Sequence, residues 1–287
     1  MKFSIVTPSY NHGEFLERTL QSVSGQAGVA AEHVIVDACS TDDTAAILAR
    51  YGHGIRWVSE PDKGQTEAVN KGIRATDGEI IGWLNSDDIY YPGALARVAE
   101  VFERDPGVDV VYGLADHIDV NDQPFEAYPV ESWDPVRLME TCFISQPAAF
   151  FRRSVVSRYG LLDESLQYCM DYEYWLRLAR AGARFAHQPE KLAGSRLYPD
   201  NKTMRASVAV HREINDMFRR KFHEVPDGWL YKYANVVVRE RLNERADPVR
   251  FARQASLHTL LASLRWNRRI TRALLARHFP DWFSARL

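Results

Sequence analysis

Through the first half of the chain, short apolar runs alternate with stretches whose apolar residues recur at helical spacing, the pattern of a sheet whose strands are joined by crossover helices. Phe3-Ser4-Ile5-Val6-Thr7 reads as a first strand, expected to stop at Pro8, which has no N–H to donate. Asn11 then stands where it can cap a helix in which Phe15, Leu16, Thr19, Leu20 and Val23 share a face. Val34-Ile35-Val36 predicts a second strand ending at Asp37, and Ser40 is placed to cap a helix carrying Thr44, Ile47, Leu48 and Tyr51. A third strand over Ile55–Ser59 and a helix over Gly64–Ala75 lead to Ile80–Leu84, a nearly all-apolar strand suited to the centre of a sheet. Pro92 fits a first helical position before Leu95, Val98, Ala99 and Phe102. Val108–Tyr112 and Ala148–Phe151 predict further strands, and Tyr172, Trp175, Leu176 and Ala179 a further helix. Beyond about Ala206 the pattern is helical only, and the Pro199-Asp200-Asn201 turn marks a boundary near residue 200.

Length and composition narrow this picture. The 287 residues suit two units, or one large α/β unit with an appended tail. With 46% hydrophobic and 26% charged residues, a disordered chain or a fibrous repeat is excluded. The net charge of −2 gives no global positive field, so no nucleic-acid partner is expected. Cys39, Cys142 and Cys169 are too scattered for a disulfide framework or a CxxC metal knuckle, which points to a reducing cytoplasm. No uncharged apolar run of about 18 residues occurs, so the expectation is a soluble protein, at most peripheral to a membrane. The end of the chain is one-sided: Arg250–Leu287 holds eight arginines and one acid, Asp281. Leu257, Leu260, Leu261 and Leu264 recur there at helical spacing. That combination suits either an anionic membrane surface or a helix packed on the rest of the chain with solvated arginines.

Chemistry is expected where strands end, because ligands of open α/β sheets bind at the carboxyl edge. Polar segments gather there: Thr7-Pro8-Ser9-Tyr10-Asn11-His12, then Asp37-Ala38-Cys39-Ser40-Thr41-Asp42-Asp43, then Asn85-Ser86-Asp87-Asp88. Paired carboxylates after a buried strand are hard ligands able to hold Mg²⁺ or Mn²⁺ against substrate phosphates, although Asp88 can equally be a turn former before Pro92. The nine histidines show no metal-ligand spacing, and His12, His33 and His187 read as surface or satisfied residues. Gly52-His53-Gly54 lacks the third glycine of a dinucleotide fingerprint. Cys39 has no histidine close in sequence to activate it, and Trp133 suits packing better than a sugar platform.

Taken in order, several segments resemble family 2 of the inverting glycosyltransferases. They are Ser4 to Asn11, Val36 to Thr44, Glu60-Pro61-Asp62-Lys63-Gly64-Gln65 with Ala68, Asn70 and Gly72, Gly82 to Asp88, Gln146-Pro147-Ala148, and Met170 to Arg177. The resemblance, spanning about Phe3 to Thr203, implies the GT-A, nucleotide-diphospho-sugar transferase-like fold: α/β, with a mixed, mainly parallel sheet flanked by helices and here a helical C-terminal extension. It divides the chain into a catalytic domain over 1–205, with the nucleotide-sugar part about 1–112 and the acceptor part about 113–205, and a basic extension over 206–287. It implies donor-binding roles for Thr7, Pro8, Ser9, Tyr10, Asp37, Asp62, Lys63, Asn85, Ser86, Asp87 and Arg196, and metal ligation by Asp87 and Asp88. Asp171 matches the catalytic base, with a helix cap as the alternative role. Three positions depart from the pattern: Asn85 replaces the first Asp of the Asp-x-Asp motif, Met170 the glutamate before the base, and Tyr198 a late histidine. The implied activity is transfer of a sugar from a UDP-sugar to a hydroxyl of a glycan or lipid-linked glycan, with Mn²⁺ or Mg²⁺, in the cytoplasm or at the cytoplasmic face of the inner membrane. A nucleotidyltransferase would be expected to place a glycine-rich phosphate loop where this chain has Pro8-Ser9-Tyr10-Asn11. A non-catalytic sugar-nucleotide binder would not need Asp171.

Overall fold

The structure, a computed structural model, describes residues 1–199, 201 and 206–278. Residues 202–205, which hold the expected domain boundary and the end of the resemblance at Thr203, and the last stretch of the basic tail, 279–287, lie outside the described residues. The chain divides into two units, Met1–Pro135 with Cys142–Pro199, and Val136–Thr141 with Asp200–Leu287.

The first unit is built on one mixed sheet. Strands β1 (Lys2–Ser9), β2 (Ala30–Asp37), β3 (Arg56–Ser59) and β4 (Ile80–Trp83) are parallel, in the order β3-β2-β1-β4. Helices α1 (Gly13–Ser24), α2 (Thr44–Tyr51) and α3 (Gln65–Arg74) are the crossovers. The all-apolar run in β2 is explained by burial on both faces. Ile35 packs with Leu16, Leu20, Ile47 and Leu48 from α1 and α2, while Val34 and Val36 pack with Ala68 of α3. Helix α3 sits so close to β1 that a Cβ on Gly72 would lie 2.3 Å from Val6 Cγ1. Contrary to the expectation from sequence, β1 continues through Pro8. Val6 O accepts from Leu84 N on the β4 side, whereas Ser9 O accepts from Ala38 on the β2 side. Residue 8 therefore points toward the side that β4 has already left, and no ladder bond is lost there.

Beyond β4 the sheet continues β8-β6-β9-β5, through β5 (Ile89–Tyr90), β6 (Val110–Ile118), β8 (Ala149–Arg152) and β9 (Phe185–Arg196), with β7 (Pro124–Ala127) beside β6. Strand β8 is antiparallel to β4 and β6, β9 is parallel to β6, and β5 is antiparallel to β9. Helix α4 (Ala94–Arg104) places Leu95, Val98 and Phe102 in the main core with Phe3, Ile5, Leu84 and Phe150. It starts after Gly93, in a left-handed conformation, rather than at Pro92. Helices α6 (Arg153–Tyr159) and α7 (Met170–Arg180) complete the series in this unit, whereas α5 (Pro135–Glu140) belongs, but for Pro135, to the second. Strand β9 and the short β5 and β7 have no clear sequence signal. In β9 the register with β6 jumps from Gly113↔Gln188 to Leu114↔Lys191, so Pro189 and Glu190 sit in a bulge that interrupts the alternation. This irregular strand and β5 bring Arg196 and Tyr198 against the loop that follows β4.

The second unit is helical: α8 (Ser207–Phe222), α9 (Asp227–Arg239), α10 (Pro248–Asn267) and α11 (Arg272–His278), joined by residues Val136–Thr141. Trp229 Nε1 donates to Met139 O at 3.1 Å, which ties α9 to that segment. Asp247 caps α10 by accepting from Arg250 N at 2.9 Å, with Pro248 at the first helical position. Phe251, Ala255, Ala262 and Trp266 are buried, while Leu257, Leu261 and Leu264 on the opposite face are about half exposed. Among the described residues, no helix is long and apolar enough to cross a membrane.

Candidate active site

The loops after β1 and β2 are stitched together by side chains. Asn11 N–H donates to Ser40 Oγ and Thr41 N–H to Asn11 Oδ1, both at 2.8 Å. Asp42 accepts from Gly13 N at 2.8 Å and from Thr44 N at 3.1 Å, so one carboxylate closes the starts of both α1 and α2. Those hydrogen bonds hold its carboxyl below the usual range, against the opposing effect of burial. Neither Asn11 nor Ser40 therefore caps the helix that follows it. Asn11 takes a positive φ of 52° and Cys39 one of 57°, the tight reversals this stitching requires.

Asp37 is buried, with Ser40 N at 3.0 Å and Ser59 Oγ at 2.6 Å on one oxygen and Ser40 Oγ on the other. Thr7, a candidate donor contact, turns into the sheet, where its hydroxyl lies 2.8 Å from His33 Nε2. Burial pushes the His33 imidazole down to about 3, so it is neutral. Pro8 is buried, and the buried Ser9 hydroxyl has no hydrogen-bond partner. Tyr10 is 60% exposed at the rim. The ends of β1 and β2 thus place an exposed ring next in sequence to a buried hydroxyl, with the buried carboxylate of Asp37 paired across from Ser9.

The loop after β4 divides the expected acidic pair. Asn85 Oδ1 accepts from Gln65 Nε2 at 2.7 Å and from Trp83 Nε1 at 2.8 Å, while its Nδ2 donates to Asp88 Oδ2 at 3.1 Å and Gln146 Oε1 at 3.0 Å. Asp88 is 3% exposed; its Oδ1 accepts from Arg196 N at 2.8 Å, and burial, reinforced by the Asp87 charge, raises its carboxyl well above the ordinary range. Both oxygens of Asp88 are thus engaged inside the fold, which corrects its expected place at the rim. Arg196 is corrected in the same sense, because its side chain is fully buried. It donates to Asp87 O at 2.7 Å, to Asp119 O and to Asp122, and lies over the Phe15 ring, so it clamps the loop from within. Asp87 is half-buried, and Tyr198 OH donates to its Oδ2 at 3.1 Å. The buried Ser86 hydroxyl lies 2.8 Å from His12 Nδ1.

Asp62 accepts from Gly64 N at 2.8 Å, and Lys63 N–H donates to Glu67 Oε2 at 2.8 Å, leaving the Lys63 side chain exposed. Gly64, at φ 133°, is required where the chain turns into α3. Asp171 stands in the first turn of α7, whose cap residue is Cys169, so it is not the helix cap. Burial raises the Tyr128 phenol well above its ordinary value, and the Asp171 carboxylate adds to that shift. Glu173 is fully buried and paired at 3.0 Å with Arg177, which also holds Tyr159 O and Leu161 O. Trp133 stacks on Phe185 with centroids 3.9 Å apart, a packing contact. Among the described residues, no group of three or more His, Cys, Asp or Glu forms a metal cluster. His12, read from sequence as a surface or satisfied residue, has both ring nitrogens engaged, by Ser86 and by Tyr198 at 3.3 Å, which places it beside Asp87; its position in the polar loop after β1 was the available signal.

The model of the family described as "Glycosyl transferase family 2" matches residues 4–160 of this chain. The chain belongs to glycosyl transferase family 2. This family 2 enzyme is 28% identical over 242 residues to an uncharacterised glycosyltransferase of Rickettsia prowazekii (strain Madrid E), a match covering 80% of the chain and 71% of the relative. Other matches span 39% of two longer Rickettsia relatives. Among solved structures it resembles S. aureus TarS in complex with UDP-GlcNAc, with a TM-score of 0.63 at 16% identity over 91% of this chain and 81% of that one. It also resembles the mannosyltransferase PcManGT from Pyrobaculum calidifontis in complex with GDP-Man and Mn²⁺, with a TM-score of 0.61 at 18% identity over 99% of this chain and 80% of that one. The family 2 enzyme has the GT-A fold of these glycosyltransferases, and it is itself a glycosyltransferase.

Proposed function

We propose that this glycosyltransferase moves a sugar, with inversion, from a UDP-sugar to a hydroxyl of a glycan or lipid-linked glycan in surface polysaccharide synthesis. A divalent cation, Mn²⁺ or Mg²⁺, would sit at the donor diphosphate. The observation that carries this reading is the carboxyl end of the parallel half-sheet, where the stitched β1 and β2 loops leave Tyr10 exposed next to the buried Ser9 and Asp37 and the β4 loop leaves Asp87 more exposed than Asp88. Tyr10 can stack on a pyrimidine, and Asp37 can accept from its imide N–H. Asp62 and Lys63 would border the donor sugar or diphosphate, while Arg196, Asn85, Ser86 and Asp88 hold Asp87 in place.

The donor set fits a hard cation, because one or two protein ligands completed by diphosphate oxygens and water is a usual arrangement for Mg²⁺ and Mn²⁺. When bound, the cation would neutralise charge on the departing nucleoside diphosphate. On the acceptor side Asp171 takes the hydroxyl proton as the oxygen attacks the anomeric carbon, and since the leaving group is already a weak base, no second carboxylic acid is needed. Glu173 is unsuited to that role because Arg177 pairs with it inside the fold. The exposed leucines and arginines of α10 would rest on an anionic membrane, at its cytoplasmic face, where lipid-linked acceptors lie.

Calorimetry of the chain with UDP and GDP, with and without Mn²⁺, tests the donor reading. UDP is expected to bind more tightly than GDP, only with metal, and Asp87→Ala should abolish that binding while the protein stays folded. Equal affinity for the two nucleotides, or metal-independent binding, would overturn it.

A further inference from the structure

Three groups from distant segments meet beside Asp87. Tyr198 OH donates to Asp87 Oδ2 at 3.1 Å and lies 3.3 Å from His12 Nε2, while His12 Nδ1 lies 2.8 Å from the buried Ser86 hydroxyl. The contact with Ser86 fixes the ring. When Nδ1 carries its proton toward that hydroxyl, Nε2 presents a lone pair toward Tyr198 and Asp87. A carboxylate oxygen and an imidazole nitrogen then converge on a single phenolic proton, which can serve only one of them. An imidazole whose second nitrogen donates to a fixed partner is also the arrangement in which histidine binds metals.

We propose that His12 Nε2 and Asp87 are the two protein ligands of the divalent cation at this site, with Tyr198 OH the group the cation replaces between them. The proposal rests on the donor-site reading given above. It also selects the ion: an imidazole nitrogen discriminates against Mg²⁺, which is held by oxygen, so Mn²⁺ is preferred.

Pulsed electron paramagnetic resonance of Mn²⁺ bound to the full chain with UDP provides a readout independent of turnover. The wild-type spectrum is expected to show ¹⁴N modulation from a directly bound imidazole, lost in His12→Asn and retained in Tyr198→Phe. Calorimetry should find Mn²⁺·UDP affinity lower by at least about tenfold in His12→Asn, together with a reduced preference for Mn²⁺ over Mg²⁺. Should His12→Asn fail to fold, the wild-type spectrum still decides. Absence of ¹⁴N modulation in a wild-type chain that binds Mn²⁺·UDP, or unchanged affinity in a folded His12→Asn, overturns the proposal and leaves the donor reading standing. Absence of any metal-dependent UDP binding by the wild type overturns both.

Discussion

Asn85 illustrates what one atom decides in this site. Its amide nitrogen donates to Asp88 and Gln146, and a carboxylate in its place could do neither. Asn85→Asp would restore an acidic Asp-x-Asp motif while setting a second carboxylate against one that burial and Asp87 already push upward. The variant is expected to be less stable by about 2–4 kcal/mol. Because the new group would be held protonated in the fold, the loss should grow as pH rises through its folded pKa, and urea denaturation at about pH 5 and pH 8 measures it. Equal loss at both values would mean that the two carboxylates do not meet. His33 acts in the opposite direction. Its folded value of about 3 lies below the 6.5 of the unfolded chain, so stability is lost as pH falls below about 6.5. From about pH 7 to pH 5 that loss is about 2 kcal/mol, and His33→Gln should flatten the slope by that amount. An unchanged slope would assign the acid sensitivity elsewhere.

At the level of elements, the parallel half of the sheet was legible because β2 and β4 are buried on both faces and read as continuous apolar runs, while α1, α2 and α3 each bury one periodic stripe. Strand β9 was not, since the Pro189–Glu190 bulge breaks its period. The site divides the same way. Strand ends locate Tyr10, Asp37 and Asp87, whereas the inward turn of Asp88 and Arg196 and the arrival of His12 depend on partners about 70 to 190 residues apart in sequence. Packing between elements can be tested at α3, where Gly72→Ala would press a methyl onto Val6. It should cost about 1–3 kcal/mol, and Val6→Ala in the same chain should recover part of that; strict additivity of the two losses would show that the helix does not rest there. Helix α7 sets Asp171 in a first turn rather than at a cap, so Asp171→Asn should keep the fold and UDP affinity while lowering turnover by about a hundredfold or more. Near-normal turnover would remove the base role, and lost UDP binding would move the residue to the donor side.

For the molecule as a whole, a net charge of −2 coexists with a strongly basic end. Along α10 the exposed residues Val249, Arg253, Leu257, Leu261 and Leu264 recur every three or four positions, so apolar side chains and the Arg253 cation share one outward face, with Arg268 just past its end. Solvated arginines alone would not require three leucines, each about half exposed, between them. An anionic bilayer satisfies both kinds of residue: the leucines leave water, and each arginine near the surface gains about 1 kcal/mol at low ionic strength. The full chain is therefore expected to sediment with vesicles containing anionic lipid, to leave them as salt shortens the Debye length, and to ignore neutral vesicles. Leu257→Gln, Leu261→Gln and Leu264→Gln together should weaken binding at constant charge, which separates insertion from simple attraction. If that triple variant binds as the wild type does, the arginines act alone; if neither binds anionic vesicles at low salt, α10 meets water or protein instead of lipid.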